Sequence, residues 1–453
     1  MRTANTRVLS ALLAIGAGAC NPSSFNSVLD KAPVSAFSVS GSGTGPLFAL
    51  PLPAPVPSTK VAARMLVSRQ DNQYLAVADY DKVGKVTLHE ASDASDSLGS
   101  WVNSMAMRAD GTILLGTPSY NPAGSSAPAG KVSTLSLGTQ PDGTVSFAIQ
   151  PLIQGGGVAL TRLGISVATG NVTGQVGGDS VVVGDNSVQV ILVDKSTGNK
   201  SSIDTDAKCQ QYISLGSPTD VNAFRPVVVA DLLGSDGADE IVLSGPLNGA
   251  SYVLFLNAPT GAIALACPKV LSLTSTTRFG ASLAAGDFDG DGLMDLAVGF
   301  PPDQVYVYFG PLDGLTDPLI RDVTITSTTS TAFGKRLSVY QAPGQAAAQL
   351  LVSDPLGSAV GQRQSAGKVM LFNISRLQPA LSTTDAVATL FDSDQDSSLS
   401  VFGGASLGGL EFNCSGAPLP AYVPWVSIGV DVLTFFAYPT GPVSAADPRC
   451  FGK

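Results

Sequence analysis

Histidine, basic residues and long apolar runs are all scarce in this chain of 453 residues, and each scarcity excludes a class of function. The single histidine, His89, excludes most triad and zinc chemistry, because those sites are usually built on histidine. The 25 basic residues face 35 acidic ones, and the net charge of −10 argues against nucleic acid as a partner. Beyond the N-terminus, no apolar run approaches the roughly 18 residues of a membrane-spanning helix.

Charged residues of both signs are also few, at 13% of the chain against a usual value of about 25%. This composition argues against a coiled coil, a helical bundle and a charged disordered chain. The 49 glycines and 30 prolines favour many short strands joined by turns. Because a single globular core seldom grows beyond about 300 residues, the length predicts several domains or a repeat architecture.

The first 20 residues resemble the signal segment of a bacterial lipoprotein. Arg2 and Arg7 precede the apolar stretch Val8–Ala19, which suits a secretory signal and is too short to span a bilayer. The sequence Ala-Gly-Ala-Cys20 is similar to a lipobox, in which cleavage before the cysteine precedes attachment of lipid to its thiol. We expect residues 1–19 to be a signal peptide and Cys20 to carry the lipid. An ordinary secretory signal cleaved at the same small residues is the alternative.

Residues 20–58 are rich in Ser, Pro, Ala and Gly and contain only two charged residues, Asp30 and Lys31. No period of a helix or strand holds over a useful length, so we predict a flexible tether between the lipid and the folded body. The apolar patch Leu47–Leu52 leaves open the alternative that part of this segment docks on the body.

A short apolar strand ending in a small residue recurs at intervals of about 60 residues in the rest of the chain. Its seven occurrences begin at Leu75, Ile113, Val181, Ile241, Leu296, Leu350 and Val426. A second, alternating strand follows most of them, and a Phe-Gly or Leu-Gly pair precedes several. Such a unit, without helical periodicity, predicts a four-stranded antiparallel sheet. Seven sheets closed in a ring leave only short free edges, so we predict an all-β, seven-bladed β-propeller over residues 59–453.

One of these repeats carries a complete motif. Phe279-Gly280-Ala-Ser-Leu is followed by Gly-Asp287-Phe-Asp-Gly-Asp-Gly-Leu-Met-Asp295 and by an apolar strand that ends at Pro301. This stretch resembles the FG-GAP repeat of integrin α-subunit propellers. The other repeats keep the Phe-Gly pair and the apolar strand, whereas their acidic loops are degraded. The resemblance implies a seven-bladed propeller, in agreement with the number of repeats.

The acidic loop of this repeat places five oxygen donors in nine residues: Asp287, Asp289, Asp291, Leu293 through its carbonyl, and Asp295. Four carboxylates at this spacing repel one another unless a hard cation lies between them, and Ca²⁺ takes six to eight oxygen ligands. The loop begins like an EF-hand loop, but Val298 stands where the closing Glu would be. The FG-GAP resemblance implies that Asp295 closes the site instead. We predict structural Ca²⁺ here; an empty solvated loop and a metal that contacts a partner are alternatives.

Two other acidic stretches are weaker candidates for a metal. Residues 231–240 occupy the equivalent place one repeat earlier, but they include an extra residue and put apolar Leu233 at a ligand position. Residues 392–400 begin with alternating aspartates, yet they precede the pair Phe402-Gly403 instead of following it.

Four cysteines remain after Cys20: Cys209, Cys267, Cys414 and Cys450. An even number in an exported chain favours disulfides, and three connectivities are open. Proximity in the sequence favours one bond between the first two and one between the last two, with free buried thiols as the alternative.

No group of residues forms a complete catalytic constellation. Gly280-Ala-Ser282-Leu-Ala284 lacks the second glycine of a nucleophile elbow and has no base nearby in sequence, and we interpret His89 as a half-exposed strand residue. We predict a non-catalytic, lipid-anchored propeller of the cell envelope that displays a surface for a protein or polysaccharide ligand. Asn21 after the lipobox favours the outer membrane. The alternatives are an extracellular hydrolase or lyase with its site on the propeller face, and a purely structural envelope protein.

Overall fold

A computed structural model describes a little over half of the chain. The described residues are 33–38, 47–53, 61–69, 75–81, 86–91, 98–123, 128–140, 144–155, 162–174, 179–184, 190–193, 200–202, 226–234, 237–247, 250–257, 266–273, 279–313, 321–328, 330, 332–341, 345–357, 367–390, 407–412, 421–428 and 432–436.

Nearly all regular structure in these residues is β-strand, with one 3₁₀ turn at Thr383–Asp385. The strands are β1 Pro33–Ser38, β2 Leu47–Leu52, β3 Val61–Arg69, β4 Leu75–Asp81, β5 Val86–Glu90, β6 Ser104–Met107, β7 Ile113–Thr117, β8 Lys131–Thr139, β9 Val145–Gln154, β10 Ser166–Gly170, β11 Asp179–Val183, β12 Val190–Val193, β13 Lys200–Ser202, β14 Val227–Ala230, β15 Glu240–Leu247, β16 Ala250–Asn257, β17 Ala266–Leu273, β18 Ser282–Gly286, β19 Asp295–Phe300, β20 Gln304–Tyr308, β21 Val323–Thr326, β22 Leu337–Tyr340, β23 Gln349–Asp354, β24 Lys368–Phe372, β25 Ala380–Ser382, β26 Ala388–Leu390, β27 Leu407–Phe412, β28 Ala421–Ile428 and β29 Val432–Phe436.

These strands form seven separate sheets within the described residues. We number them in chain order: sheet 1 (β2–β5), sheet 2 (β6–β9), sheet 3 (β10–β13), sheet 4 (β14–β17), sheet 5 (β18–β21 with β25), sheet 6 (β22–β24 with β26) and sheet 7 (β27–β29 with β1). Neighbouring strands pair antiparallel, except β25, which adds to β21 in parallel. The prediction of an all-β chain of four-stranded antiparallel sheets is confirmed.

The recurring apolar runs lie in inner strands of the sheets. Every residue of β7 and β23 is buried, because a strand with a neighbour on each side and sheets against both faces has no solvent-facing surface. Six of the seven recurring runs lie in the second strand of a sheet. The run at Leu75 differs, since it lies in β4, the third strand of sheet 1. The second strand there is β3, in which Arg64 and Ser68 limit the apolar run to the three residues Met65–Val67.

Apolar side chains fill the space between consecutive sheets. The best described cluster joins sheets 5 and 6 and includes Phe288, Phe309, Phe333, Leu350 and Phe372. Similar clusters lie between sheets 4 and 5, sheets 1 and 2, and sheets 2 and 3. Sheets 1 to 6 each bury apolar side chains against at least one neighbour, which is how a small sheet gains a core.

The Phe-Gly pair of the repeat motif has a defined structural role. Phe333 is fully buried in the cluster between sheets 5 and 6, and Gly334 has a φ of 79°, which favours glycine. The Gly334 carbonyl accepts a hydrogen bond of 2.7 Å from the Ser282 hydroxyl of the preceding sheet. A Cβ on Gly334 would lie 2.8 Å from the Gln304 carbonyl oxygen, so the close approach of the two sheets requires glycine. The pair thus joins neighbouring sheets through an apolar anchor and a backbone contact.

The structure corrects the predicted tether at residues 20–58. Pro33–Ser38 pairs with Val432–Phe436 as the outer strand of sheet 7, and Leu47–Leu52 is the first strand of sheet 1. The folded body therefore includes residues before position 59, and the alternative that Leu47–Leu52 docks on the body is the correct one. The physical reason is that these segments are stabilised by pairing with strands rich in Val, Leu and Phe. The composition of residues 20–58 themselves does not indicate a strand.

Candidate metal centre

The acidic loop connects β18 to β19 in sheet 5. Asp295 opens β19 and lies opposite Gly286, the last residue of β18, so the loop spans residues 287–294. Gly290 and Gly292 have φ values of 82° and 87°, in the left-handed region that other residues seldom adopt. These two glycines let the chain wrap tightly enough to turn several carboxylates toward one point.

Backbone amides of the loop hold its aspartates in place. The Asp287 carboxylate accepts hydrogen bonds from the Gly290 amide (2.7 Å) and the Gly292 amide (2.9 Å). Asp289 and Asp291 each accept one from the amide two residues later, at 3.2 and 2.9 Å. Because these bonds form within the loop, the local sequence by itself determines the carboxylate arrangement.

Asp295 is the buried member of the group. Its carboxylate is fully buried and accepts hydrogen bonds from the Phe288 amide (2.7 Å) and the Gly310 amide (2.9 Å). The pKa of Asp295 is raised to about 7, mainly by burial and also by the charges of Asp289 and Asp291, while the two hydrogen bonds lower it. A cation at this point would favour the ionised carboxylate.

The structure brings three of the five predicted ligands together. Oxygen atoms of Asp287, Asp289 and Asp295 lie within 4.8 Å of one another, a spacing that several ligands of one metal ion can share. Asp291 is outside this group of carboxylates, and Leu293, predicted to bind through its carbonyl, exposes 36% of its surface. An all-oxygen donor set of this charge fits a hard cation such as Ca²⁺.

A residue that the sequence analysis missed, Arg376, covers the open side of the loop. Its Nε donates a hydrogen bond to the Asp289 carboxylate. Its Nη2 donates a hydrogen bond of 2.7 Å to Asp291 Oδ2. The guanidinium also lies 4.7 Å from the centre of the Phe309 ring. The hydrogen bond to Asp289 raises the pKa of Arg376 above its ordinary value. Arg376 thus forms an ion pair with Asp291, the predicted carboxylate ligand that lies outside the group of three.

Arg376 reaches the loop because the segment between β24 and β26 of sheet 6 crosses to sheet 5. The chain leaves β24 at Phe372, passes Arg376 and pairs as β25 with β21 before it returns to sheet 6 as β26. Nothing in the local sequence around Arg376 indicates an acidic partner more than 80 positions earlier. Only the parallel pairing of β25 brings the two together.

The weaker acidic stretch 231–240 folds around one carboxylate in the described part of the chain. Glu240 opens β15 opposite Ala230, as Asp295 opens β19, and it accepts hydrogen bonds from the Leu232 and Leu233 amides at 2.8 and 2.9 Å. Glu240 therefore takes the place of Asp295 in the sheet. Asp236 and the second stretch, 392–400, lie outside the described residues.

Other predicted residues are placed as follows. Ser282 donates to Gly334, so its hydroxyl has a structural partner. His89 Nε2 lies 3.2 Å from Asp79, which also pairs with Arg64 at 2.5 Å. Cys267 lies in β17, whereas the lipid candidate Cys20 and the three other cysteines, Cys209, Cys414 and Cys450, lie outside the described residues.

Comparison with known proteins confirms the motif read from the sequence. Residues 279–308 match the FG-GAP repeat family. Over 106 residues, or 21% of the chain, the sequence is 39% identical to integrin alpha-PS5 of Drosophila melanogaster, and this stretch is 10% of that protein's length. The chain thus spans about a tenth of this curated relative. Sequence and structure define an all-β protein of antiparallel four-stranded sheets with an integrin α-like FG-GAP repeat.

Two solved structures resemble the chain at low identity. The structure of U3-55K has a TM-score of 0.47 and 11% identity, and that of Saccharomyces cerevisiae Sqt1 has a TM-score of 0.47 and 12% identity. In both cases the alignment covers 90% of this chain and 99% of the other. Among the described residues, no helix combines the length and the hydropathy needed to cross a membrane.

Proposed function

We propose that the seven sheets are the blades of a closed β-propeller. The support is the cyclic order of contacts between first strands: β2 contacts β6, and contacts continue through β10, β14, β18 and β22 to β27, which contacts β2 again. The pairing of β1 with β29 joins the beginning of the chain to its last sheet. Such pairing closes a ring of sheets and leaves few free edges.

This propeller holds Ca²⁺ in the loop 287–295. Asp287, Asp289, Asp291 and Asp295, with the Leu293 carbonyl, are the ligands that the FG-GAP resemblance implies. The support is the group of three carboxylates, one of which belongs to the fully buried Asp295, whose pKa is raised mainly by burial. Bound Ca²⁺ would balance the charge of these carboxylates and would tie β18 to β19.

The protein acts as a non-catalytic binding protein on the outside of the cytoplasmic membrane. The single observation that carries this proposal is the integrin α-like FG-GAP repeat within an array of stacked sheets. Cys20 anchors the chain by lipid in the outer membrane, and the four remaining cysteines form two disulfides. The ligand is a protein or a polysaccharide of the cell envelope.

The test is binding of the Cys20→Ala protein to envelope material. We expect saturable binding in calcium that decreases when a chelator is added, with no new reducing ends and no unsaturated sugar products. Release of such products in proportion to protein would establish the hydrolase or lyase instead. Binding that does not saturate would contradict a ligand-displaying role.

The anchor gives a separate prediction. Cys20→Ala is expected to move the protein from the membrane fraction to the soluble fraction or to leave it unprocessed, because the thiol is the only attachment point for the lipid. Fractionation followed by immunoblotting measures this. Cys267→Ala, which keeps the lipobox, is the control and should stay with the membrane. Membrane association that survives Cys20→Ala would refute lipid anchoring.

Arg376 gives a prediction about calcium affinity. Because its guanidinium pairs with Asp289 and Asp291, a metal ion must share these carboxylates with it or displace it. Arg376→Gln is expected to raise calcium affinity three- to tenfold, the effect of about 1 kcal/mol on a partly exposed ion pair. Titration calorimetry measures this, with Arg321→Gln, an exposed arginine of the same sheet, as the control. Lower affinity in Arg376→Gln would show that Arg376 positions the ligands instead of competing for them.

A further inference from the structure

A cavity of about 240 Å³ lies where the first strands of six sheets begin. Its lining takes two or three residues from the start of each of these strands, or from just before it: β2, β6, β10, β14, β18 and β22. The calcium loop follows the other end of β18, so the cavity and the metal centre lie at opposite ends of that strand. The cavity is therefore a second candidate site, separate from the loop.

The charge of the cavity is opposite to that of the protein as a whole. Among the described residues that line it, Arg336 is the one charged residue, in a chain of net charge −10. Burial lowers the pKa of Arg336 to about 10, so the guanidinium stays charged at neutral pH and is partly stripped of water. Its backbone amide donates to Ser353 Oγ at 2.9 Å, which holds the residue in place. A planar, desolvated guanidinium suits a carboxylate.

Three neutral polar side chains of the lining donate hydrogen bonds to backbone carbonyls. The Ser104 hydroxyl donates to the Gly164 carbonyl (2.8 Å), the Ser282 hydroxyl donates to the Gly334 carbonyl (2.7 Å), and Asn103 Nδ2 donates to the Ile165 carbonyl (3.1 Å). The oxygen atoms of these three side chains keep lone pairs that can accept hydrogen bonds from a ligand, and Asn103 Nδ2 keeps a second N–H. Acceptors bind ligand hydroxyl groups, while Leu283 and Leu337 offer apolar surface to C–H groups.

We propose that this cavity binds an acidic monosaccharide unit, a uronate, with its carboxylate on Arg336 and its hydroxyls on Asn103, Ser104 and Ser282. One cation, several acceptors and an apolar wall match the chemistry of such a sugar, which carries one carboxylate, several hydroxyl donors and a C–H face. The inference builds on the proposed binding function and assigns its ligand to the polysaccharide class. An acidic peptide shares the carboxylate but lacks the hydroxyl donors.

The test uses the full mature chain as the Cys20→Ala protein and four small probes: glucuronate, glucuronamide, glucose and acetate. Calorimetry should show glucuronate binding at least tenfold more tightly than each of the other three. Arg336→Gln should lower glucuronate affinity at least tenfold, while Lys335→Gln, which removes the adjacent exposed charge, should leave it unchanged. The ligand series on the unsubstituted cavity carries the test even where Arg336→Gln does not fold.

Each contrary result has a defined meaning. Equal affinity for glucuronate and glucuronamide, or unchanged affinity in Arg336→Gln, would overturn the role of Arg336. Acetate binding as tightly as glucuronate would overturn the saccharide class and leave only a carboxylate site. Absence of glucuronate binding in a protein that calcium still stabilises would overturn this site while the proposed calcium-binding propeller stands.

Discussion

Replacing Phe333 with alanine is expected to lower the free energy of unfolding by about 3–5 kcal/mol, the usual cost of removing a buried aromatic ring. Phe333 is fully buried, and its ring packs edge-on against Phe372 with centroids 6.5 Å apart. The side chain packs between sheets 5 and 6, so truncation of the ring leaves a cavity there. The two sheets can close this cavity only by moving closer to each other. Urea unfolding followed by tryptophan fluorescence or circular dichroism measures the effect.

The matched control for Phe333→Ala is Leu377→Ala. Leu377 is 94% exposed, and its truncation should change the free energy of unfolding by less than about 0.5 kcal/mol. A loss in Phe333→Ala as small as that of the control would mean that sheets 5 and 6 do not share the core described here. An intermediate loss in Phe333→Leu would confirm that volume is the decisive quantity.

Removing calcium is expected to be the second large effect. If Ca²⁺ binds the folded state alone, it stabilises the protein by about 2.7 kcal/mol at a hundredfold excess over Kd. A chelator should therefore lower the melting temperature, and exposure of the backbone should begin in sheet 5, since each sheet contacts mainly its neighbours. Scanning calorimetry and hydrogen exchange, with calcium and with chelator, measure the two parts of this prediction.

Asp287→Asn removes one charge from the metal site at nearly constant side-chain size. The Gly290 amide donates to Asp287 Oδ1 and the Gly292 amide to Oδ2, so the single amide oxygen of Asn keeps one of these two bonds. The charge that a cation needs is gone, so most of the calcium effect should disappear. Asp322→Asn is the control, because Asp322 also accepts a backbone amide in sheet 5, that of Phe309 at 2.8 Å, outside the acidic loop. Identical melting curves with and without calcium would refute the metal site and leave the sheets untouched.

The acidic loop shows how far local sequence can predict a site. Asp287, the two glycines and Asp295 interact within nine residues, and their hydrogen bonds follow from that spacing. Six of the recurring apolar runs lie in second strands, where burial on both faces leaves a local pattern. In sheet 1 that pattern is broken in the second strand by Arg64, which pairs with Asp79 inside the sheet, and the recurring run lies in the third strand.

The sequence alone therefore determined the all-β class, the recurrence of short sheets and the FG-GAP loop, because each depends on residues close together in the chain. Only the tertiary structure decided the partners of Pro33–Ser38, of β25 and of Arg376. These contacts join segments from about 55 to nearly 400 positions apart, and long-range pairing leaves no periodic signal in either segment. Strand pairing across that distance depends on backbone hydrogen bonds that almost any uncharged sequence can make. The composition of a segment therefore does not predict which strand it pairs with.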